Sequence, residues 1–121
     1  MPVFPKAEKL CGQTRIDHLY HTGKRLVAWP LRITYLPIDE RPTEVLIWAP
    51  KSLFKHAVDR NRLRRRMREA YRLNKQVIEI ADKHYLIGIN YIDRQTQDYR
   101  VIERAMRKVL TRLAQTGEGQ P

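Results

Sequence analysis

Residues 60–72 hold the densest group of chemically active side chains in the sequence. This segment carries seven arginines and a single acidic residue, Glu69. Leu63, Met67 and Tyr71 recur at intervals of four, so one face of a helix can pack on a core while the remaining arc stays cationic. Guanidinium groups are planar, five-donor forks that match phosphate oxygens. The segment therefore predicts a helix that binds a phosphate-rich partner.

Positive charge is concentrated around this segment. The chain has 24 Lys and Arg residues against 13 Asp and Glu residues, which gives a formal net charge of +11 in 121 residues. Residues 51–75 contain ten basic and two acidic residues and so supply +8 of that total. Seven like charges on one helix repel one another, and a polyanion would relieve the repulsion. Nucleic acid is the leading class of partner.

Side chains that could perform catalysis or bind a metal ion form no recognisable pattern. His18 and His21 lie near Cys11, but this spacing does not supply the four convergent ligands of structural zinc. The aspartates are scattered along the chain, which disfavours a protein-based two-metal nuclease. The sequence also lacks a Ser-His-Asp set and a glycine-rich phosphate loop. We expect a protein that binds, with no catalytic residues and no metal site of its own.

Length and composition indicate one small domain. A chain of 121 residues with 42% apolar residues can bury a modest core, and we expect a single domain over residues 1–114 and a flexible tail at 115–121. Cys11 is the only cysteine, which excludes an internal disulfide and suits a reducing cytosol. The sequence shows no apolar run that fits a membrane span or a signal peptide. We expect a cytoplasmic protein with no membrane partner.

The first half of the chain predicts one short helix and two strands. A Thr-x-x-Asp pattern that begins at Thr14 resembles a capping box, and Gly23 supplies a stop, so we expect a helix over Thr14–Thr22. Leu31–Leu36 and Thr43–Ala49 are rich in β-branched and aromatic residues and are separated by turn composition. These two strands are predicted to pair as an antiparallel hairpin.

The second half predicts a long helix, a strand and a final helix. The arginine helix should run from about Ala57 to Leu73, and the apolar run Tyr85–Ile92 should be a buried strand. Asp98 is the predicted N-cap of a helix whose apolar stripe extends to Leu113. Gln76–Ala81 fits either a helical turn or a connecting strand. The order is α-β-β-α-β-α, an α+β fold with helices packed against a sheet.

The segment around the arginines resembles a known family. Residues 49–72, APKSLFKHAVDRNRLRRRMREAYR, are similar to the signature of the protein subunit of bacterial ribonuclease P, whose hallmark is an Arg-Asn-Arg helix. Residues 19–25, LYHTGKR, also resemble that family, in which a short helix ends at glycine before the first strand. The resemblance spans roughly residues 10–113.

The resemblance implies both a fold and a function. The fold would be a small single-domain α-β sandwich with a left-handed β-α-β crossover, against the usual right-handed rule. The domain would bind RNA as a subunit of the endoribonuclease ribonuclease P, which removes the 5′ leader of precursor tRNA. The implied partners are the catalytic RNA and precursor tRNA, with no DNA. The chemistry would belong to the RNA, with magnesium on the RNA and no cofactor on the protein.

The resemblance also implies two sets of site residues. The first helix and the exposed sheet face would form a cleft for the leader, lined by Ile16, Tyr20 and Thr34. Family members usually carry phenylalanine at the position of Ile16, and some carry tyrosine at that of Thr34. Asn61 can donate and accept at once, which suits a 2′-hydroxyl. The set that would contact the catalytic RNA is Lys51, Lys55, Arg60, Asn61, Arg62, Arg64, Arg65 and Arg68.

Two questions stay open in the sequence. Arg32, Thr34 and Leu36 share one face of a strand, Leu31, Ile33 and Tyr35 share the other, and only one set can line the cleft. Composition also fits a structural RNA-binding protein, ribosomal or RNA chaperone, or a DNA-binding protein with the arginine helix in a major groove. The DNA alternative lacks a second recognition element, and an asparagine between arginines favours RNA.

Overall fold

A computed structural model describes residues 10, 12–39 and 42–115. These residues form four helices and four strands that alternate irregularly along the chain. The elements in chain order are α1 (Gln13–Thr22), β1 (Lys24–Ala28), β2 (Leu31–Pro37), β3 (Glu44–Trp48), α2 (Ala57–Asn74), α3 (Gln76–Ile80), β4 (Tyr85–Tyr91) and α4 (Tyr99–Gln115).

The four strands form one sheet in the order β1-β2-β4-β3. β2 pairs antiparallel with both β1 and β4, whereas β3 pairs parallel with β4. The predicted hairpin between Leu31–Leu36 and Thr43–Ala49 is therefore wrong, because β4 lies between these two strands. Six of the seven residues of β4 are buried, and a strand that is apolar on both faces belongs in the centre of a sheet.

The hairpin that does form joins β1 to β2, and β1 is a strand that the sequence prediction missed. Its register pairs Lys24 with Tyr35 and Ala28 with Leu31. Only Ala28 of the five residues in β1 is buried. An exposed edge strand that carries basic residues lacks the apolar pattern by which strands are recognised.

A β-α-β crossover links β3 to β4 through α2, because these neighbouring strands run parallel. A parallel pair requires a long connection, and α2 with α3 supplies it. The predicted α+β class is confirmed, and the left-handed sense of this crossover stays a prediction from the family resemblance.

The sheet separates two clusters of buried apolar residues. On one face, α2 and α4 pack on Ile33, Ile87 and Ile89, which are completely buried. On the other face, Leu19 of α1 packs with Leu86. Helices on both faces of one sheet give the sandwich its layers.

One of the two predicted helix N-caps is present in the structure. Asp98 is confirmed as the cap of α4, since its Oδ1 accepts the amide N–H of Val101 at 3.2 Å. The capping box at Thr14 is wrong, because Gly12 is the N-cap of α1 and Thr14 lies inside the helix. The ambiguous segment Gln76–Ala81 is helical over α3.

α4 extends to Gln115, one residue beyond the predicted end of the domain at 114. The rest of the predicted flexible tail, residues 116–121, lies outside the described residues. In the part of the chain that the structure describes, no helix combines the length and apolar character needed to cross a membrane.

Candidate nucleic-acid interface

The arginine helix α2 is anchored to the protein by one apolar face. Leu63, Met67, Ala70 and Tyr71 are at most 2% exposed, as their spacing predicts. They contact the core that fills the space between the sheet and α4. Burial of this face holds the backbone of α2 in place, so the arginines project from a fixed support.

The segment that leads into α2 is held by the first arginine. Arg60 Nη1 donates to the carbonyl oxygens of Phe54 at 2.8 Å and Lys55 at 3.1 Å. Lys51 and the side chain of Lys55 are exposed in the same segment. The side-chain oxygen of Asn61 accepts a hydrogen bond from Arg64 one turn further along. Arg60 therefore orders the approach to the helix, and Asn61 orients Arg64.

Two further arginines of α2 also have partners within the protein. Arg66 Nη1 donates to the carbonyl oxygen of Gln97 at 2.5 Å, which ties α2 to the segment before α4. Arg72 forms an ion pair with Glu69 at 2.7 Å. Arg66 is thus tied to a neighbouring segment, whereas Arg72 is paired with an acid of its own helix.

Three arginines remain for an external partner. Within the described ranges, Arg62, Arg65 and Arg68 form no hydrogen bond or ion pair, and all three are exposed. Partial burial lowers the pKa of Arg68, and the neighbouring guanidinium groups of Arg64 and Arg65 lower it further. This mutual repulsion is the electrostatic condition that a bound phosphate would relieve.

A cleft lies on the opposite face of the sheet, between α1 and strands β3 and β4. Its cavity of about 300 Å³ is lined by Gln13, Ile16, Tyr20, Leu46, Trp48 and Asn90. Tyr20 Oη donates to Asn90 Oδ1 at 2.8 Å. Trp48 is 48% exposed at the edge of the cleft. The cavity thus combines aromatic surface with an amide group, both of which can contact an unpaired base.

Tyr20 lies directly over Gly88 of the central strand. A Cβ atom at position 88 would be 2.2 Å from Tyr20 Oη and 2.7 Å from its Cζ, so any larger residue there would require the ring to move. Burial raises the pKa of Tyr20, while the charge of Arg32 and the hydrogen bond to Asn90 act in the opposite direction. Tyr20 therefore remains a neutral hydrogen-bond donor at physiological pH.

The structure identifies which face of β2 is turned toward α1. Leu36 packs with the α1 cluster, whereas Leu31, Ile33 and Tyr35 lie in the core beneath α2 and α4. The set that contains Arg32, Thr34 and Leu36 therefore faces the cleft side. Thr34 is only 1% exposed, and its Cγ2 would be 2.9 Å from a Cβ at Gly23. Thr34 can support the cleft from below, whereas Ile16 and Tyr20 line its cavity.

Four lining residues, Gln13, Leu46, Trp48 and Asn90, were not assigned to the cleft from the sequence. A polar residue within the apolar run of β4 is the signal that could have identified Asn90, since buried strands seldom carry an amide without a partner. Leu46 and Trp48 are two residues apart on β3 and share one face of the strand. The sequence did not indicate whether that face is turned toward α1 or toward the main core. Strand order brought them opposite α1.

The candidate metal ligands considered from the sequence are His18, His21 and Cys11. Over residues 10, 12–39 and 42–115, no group of three or more His, Cys, Asp or Glu residues could hold a metal ion. His18 and His21 instead form hydrogen bonds within α1. Cys11 lies outside the described residues.

Comparison with known proteins identifies the fold and the family. The family model for ribonuclease P matches residues 4–114. A ribonuclease P protein component of Porphyromonas gingivalis is 36% identical over 116 residues, which cover 90% of this chain and 85% of that protein. A ribonuclease P protein component of Chlorobaculum tepidum is 33% identical over 136 residues, and the match covers 95% of this chain and 88% of that protein.

Solved structures show the same fold at lower identity. The Staphylococcus aureus RNase P protein superposes with a TM-score of 0.74 at 19% identity and covers 89% of this chain and 96% of its own. The Thermotoga maritima RNase P protein superposes with a TM-score of 0.74 at 21% identity, and the match covers 87% of this chain and 96% of that protein. From the family match and its curated relatives, the chain belongs to the ribonuclease P protein family and is a protein component of that tRNA-processing endoribonuclease.

Proposed function

We propose that α2 docks this protein on the catalytic RNA of ribonuclease P through phosphate contacts. The observation that carries the proposal is the set of exposed guanidinium groups of Arg62, Arg65 and Arg68, which have no bonding partner among the described residues and project from a helix anchored by its apolar face. Lys51 and Lys55 extend the same positive region toward β3. The sugar-phosphate backbone supplies acceptors at the regular intervals that such an array can bind.

The cleft beside α1 receives the single-stranded 5′ leader of precursor tRNA in this proposal. Tyr20 and Trp48 offer aromatic surface, Ile16 offers an apolar wall, and Asn90 is held by the Tyr20 hydroxyl. Stacking on aromatic rings tolerates any base, at roughly 1 to 3 kcal/mol for each base. A cleft of this composition suits leaders of differing sequence.

The cleavage chemistry belongs to the RNA subunit in this proposal, and the protein contributes binding and position. Magnesium prefers oxygen ligands that include phosphates and water, and RNA provides these where the backbone is cut. The protein needs no cofactor of its own for this role. Its partners are the catalytic RNA and precursor tRNA, in the cytoplasm.

Reconstitution tests the proposed function. Purified protein is mixed with bacterial ribonuclease P RNA at low magnesium, and cleavage of precursor tRNA with a 5′ leader is followed. We expect the protein to stimulate cleavage at the mature 5′ end, because added positive charge replaces part of the ionic screening that the RNA needs. No stimulation across protein and magnesium titrations would refute the proposed docking on the catalytic RNA.

Substitution of Tyr20 separates leader binding from general RNA binding. Tyr20→Ala removes the ring and should weaken holoenzyme binding of leader-bearing precursor by roughly 1 to 3 kcal/mol while mature tRNA binds as before. Tyr20→Phe retains the ring and serves as the matched control, with a smaller loss. If both tRNAs lost affinity equally, Tyr20 would have only a packing role.

A further inference from the structure

The outward face of α4 carries a second basic surface that the arginine helix does not account for. The helix holds five basic residues against one acid, Glu103. Its opposite side is completely buried at Ile102, Met106 and Val109, so the orientation of the helix is fixed. The basic residues of α4 are all exposed, and we call them the α4 stripe: Arg100, Arg104, Arg107, Lys108 and Arg112.

Only part of this stripe has partners inside the protein. Arg107 pairs with Glu103 at 2.5 Å, and Arg112 Nη1 donates weakly to the carbonyl oxygen of Val27 at 3.4 Å. Across the described part of the chain, Arg100, Arg104 and Lys108 form no hydrogen bond or ion pair. These three lie four residues apart, where like charges on a helix repel. The one acid of α4, Glu103, pairs with Arg107 and also interacts electrostatically with Arg104, so five cations on this face share a single carboxylate.

The spacing of the stripe suits a continuous anion. Steps of four residues advance about 6 Å along a helix, and the distance from Arg100 to Arg112 is about 18 Å. α2 and α4 pack side by side in the same layer on the sheet, and Leu73 of α2 lies beside Arg100 and Arg104. The unpaired arginines of α2 and the α4 stripe therefore belong to one helical layer.

We propose that the α4 stripe is a second RNA-docking surface, which binds the sugar-phosphate backbone of a structured segment of the RNA that α2 contacts. This inference rests on the proposed function. Single-stranded RNA is recognised largely through exposed aromatic rings. The one aromatic residue of α4, Tyr99, is half-buried and packs against the core. Backbone contacts without base stacking are typical of folded RNA.

The test compares two charge-matched variants of the full-length protein. Arg104→Gln/Lys108→Gln removes two cations of the stripe, and Lys24→Gln/Arg94→Gln removes two exposed cations elsewhere. Binding to ribonuclease P RNA is measured over a range of salt concentrations. We expect the stripe variant to reduce the slope of log affinity against log salt by up to about 1.4 to 1.8, at 0.7 to 0.9 per contact, and the control to change it little. Equal reductions would overturn the inference, since net charge alone would then explain them.

A second measurement locates the contact on the RNA. A cleavage reagent tethered at Lys108→Cys, in a Cys11→Ser background, should cut paired regions of the bound RNA. Cuts confined to the leader of precursor tRNA, or no cuts in an RNA that is fully bound, would overturn the inference. If the proposed function itself were wrong, the result would be different, because the unmodified protein would neither bind ribonuclease P RNA nor stimulate cleavage. Thermal unfolding of both double variants confirms that they are folded.

Discussion

At the residue scale, hydrogen-bond partners divide the arginines of α2 into two groups. Arg60 and Arg66 donate to backbone carbonyl oxygens and hold neighbouring segments in place. Arg62, Arg65 and Arg68 project outward without such bonds inside the described ranges. The same guanidinium chemistry thus serves the fold in one group and is available to RNA in the other.

Gly88 is a position where a single methyl group should disturb the cleft beside α1. Gly88→Ala places Cβ 2.2 Å from Tyr20 Oη, so Tyr20 must move, and we expect a loss of roughly 1 to 3 kcal/mol in the free energy of unfolding. Urea denaturation measures this loss. In a Tyr20→Ala background the same substitution should cost much less, because the clash is gone. An equal cost in both backgrounds would contradict the close packing of Tyr20 on Gly88.

Tyr91 and Tyr99 should respond oppositely to loss of the hydroxyl group. Tyr91 Oη donates to Gln95 O at 2.5 Å and accepts the amide N–H of Gln97 at 2.8 Å, so Tyr91→Phe should cost roughly 1 to 3 kcal/mol. Tyr99 Oη is enclosed and has no hydrogen-bond partner in the described structure. Tyr99→Phe should therefore be neutral or stabilise by up to about 1 kcal/mol. Chemical denaturation of both variants checks the difference in sign.

At the element scale, α1 and α4 are bounded by different local devices. α1 begins after Gly12 and ends at Gly23, whose amide N–H donates to Leu19 O at 2.7 Å. A Cβ at Gly23 would be 2.5 Å from that same oxygen, so glycine is needed there for space. α4 instead begins with a side-chain cap from Asp98.

The N-cap of α4 at Asp98 can be compared with Thr14, which the sequence predicted as a cap but which lies inside α1. Asp98→Ala removes the acceptor for Val101 N–H and should lower the free energy of unfolding by about 1 kcal/mol. Thr14→Ala changes an exposed residue inside α1 and should stay within about 0.5 kcal/mol. Thermal or urea unfolding measures both. A larger loss for Thr14→Ala than for Asp98→Ala would contradict the observed caps.

The division of arginines on α2 predicts two separable effects. Arg62→Gln/Arg65→Gln should reduce the salt slope of RNA binding by up to about 1.4 to 1.8, with little change in stability. Arg66→Gln/Arg72→Gln removes the same charge but breaks the bonds to Gln97 O and Glu69, so it should reduce the slope less and destabilise more. Binding titrations and urea unfolding of both variants test this. Equal salt slopes would show that position on the helix is immaterial.

At the scale of the whole molecule, the sheet separates two surfaces with different chemistry. The layer of α2 and α4 is rich in cations, whereas the cleft beside α1 is aromatic and apolar with an amide. The first composition suits a phosphate backbone and the second suits unpaired bases. The two faces of one small domain therefore offer binding surfaces of different chemistry, which the sheet and its helices keep apart.

Alkaline pH should destabilise the whole molecule through its covered tyrosines. Burial raises the pKa values of Tyr20, Tyr91 and Tyr99 above the usual value. A tyrosine in the unfolded chain loses its proton at about pH 10, which is a lower pH than these tyrosines require in the folded protein. The stabilisation is therefore fully present below that pH and is lost as the pH rises through the pKa values of the folded protein. Urea midpoints between about pH 8 and 11 should fall. The triple Tyr→Phe variant should show a shallower fall, and identical curves would contradict the raised pKa values.

Local pattern was enough to predict much of this protein. The apolar positions of α2 were recognised from their spacing, and the Asp98 cap from residue type, because both depend on neighbours within one or two turns. The wrong prediction of a hairpin concerned strand partners, which are far apart in sequence. β1 was missed because an exposed basic edge strand carries no apolar signal.

The sequence alone determined the cationic helix, its apolar anchor and the family, since charge density, periodicity and the Arg-Asn-Arg signature are properties of a continuous segment. Only the tertiary structure decided which arginines are available, because their partners, such as Gln97 for Arg66, come from distant parts of the chain. It also decided the cleft beside α1, where Tyr20, Gly88 and Asn90 meet. These three residues are brought together by the order of the strands and by close packing, and neither can be read from a short segment of sequence.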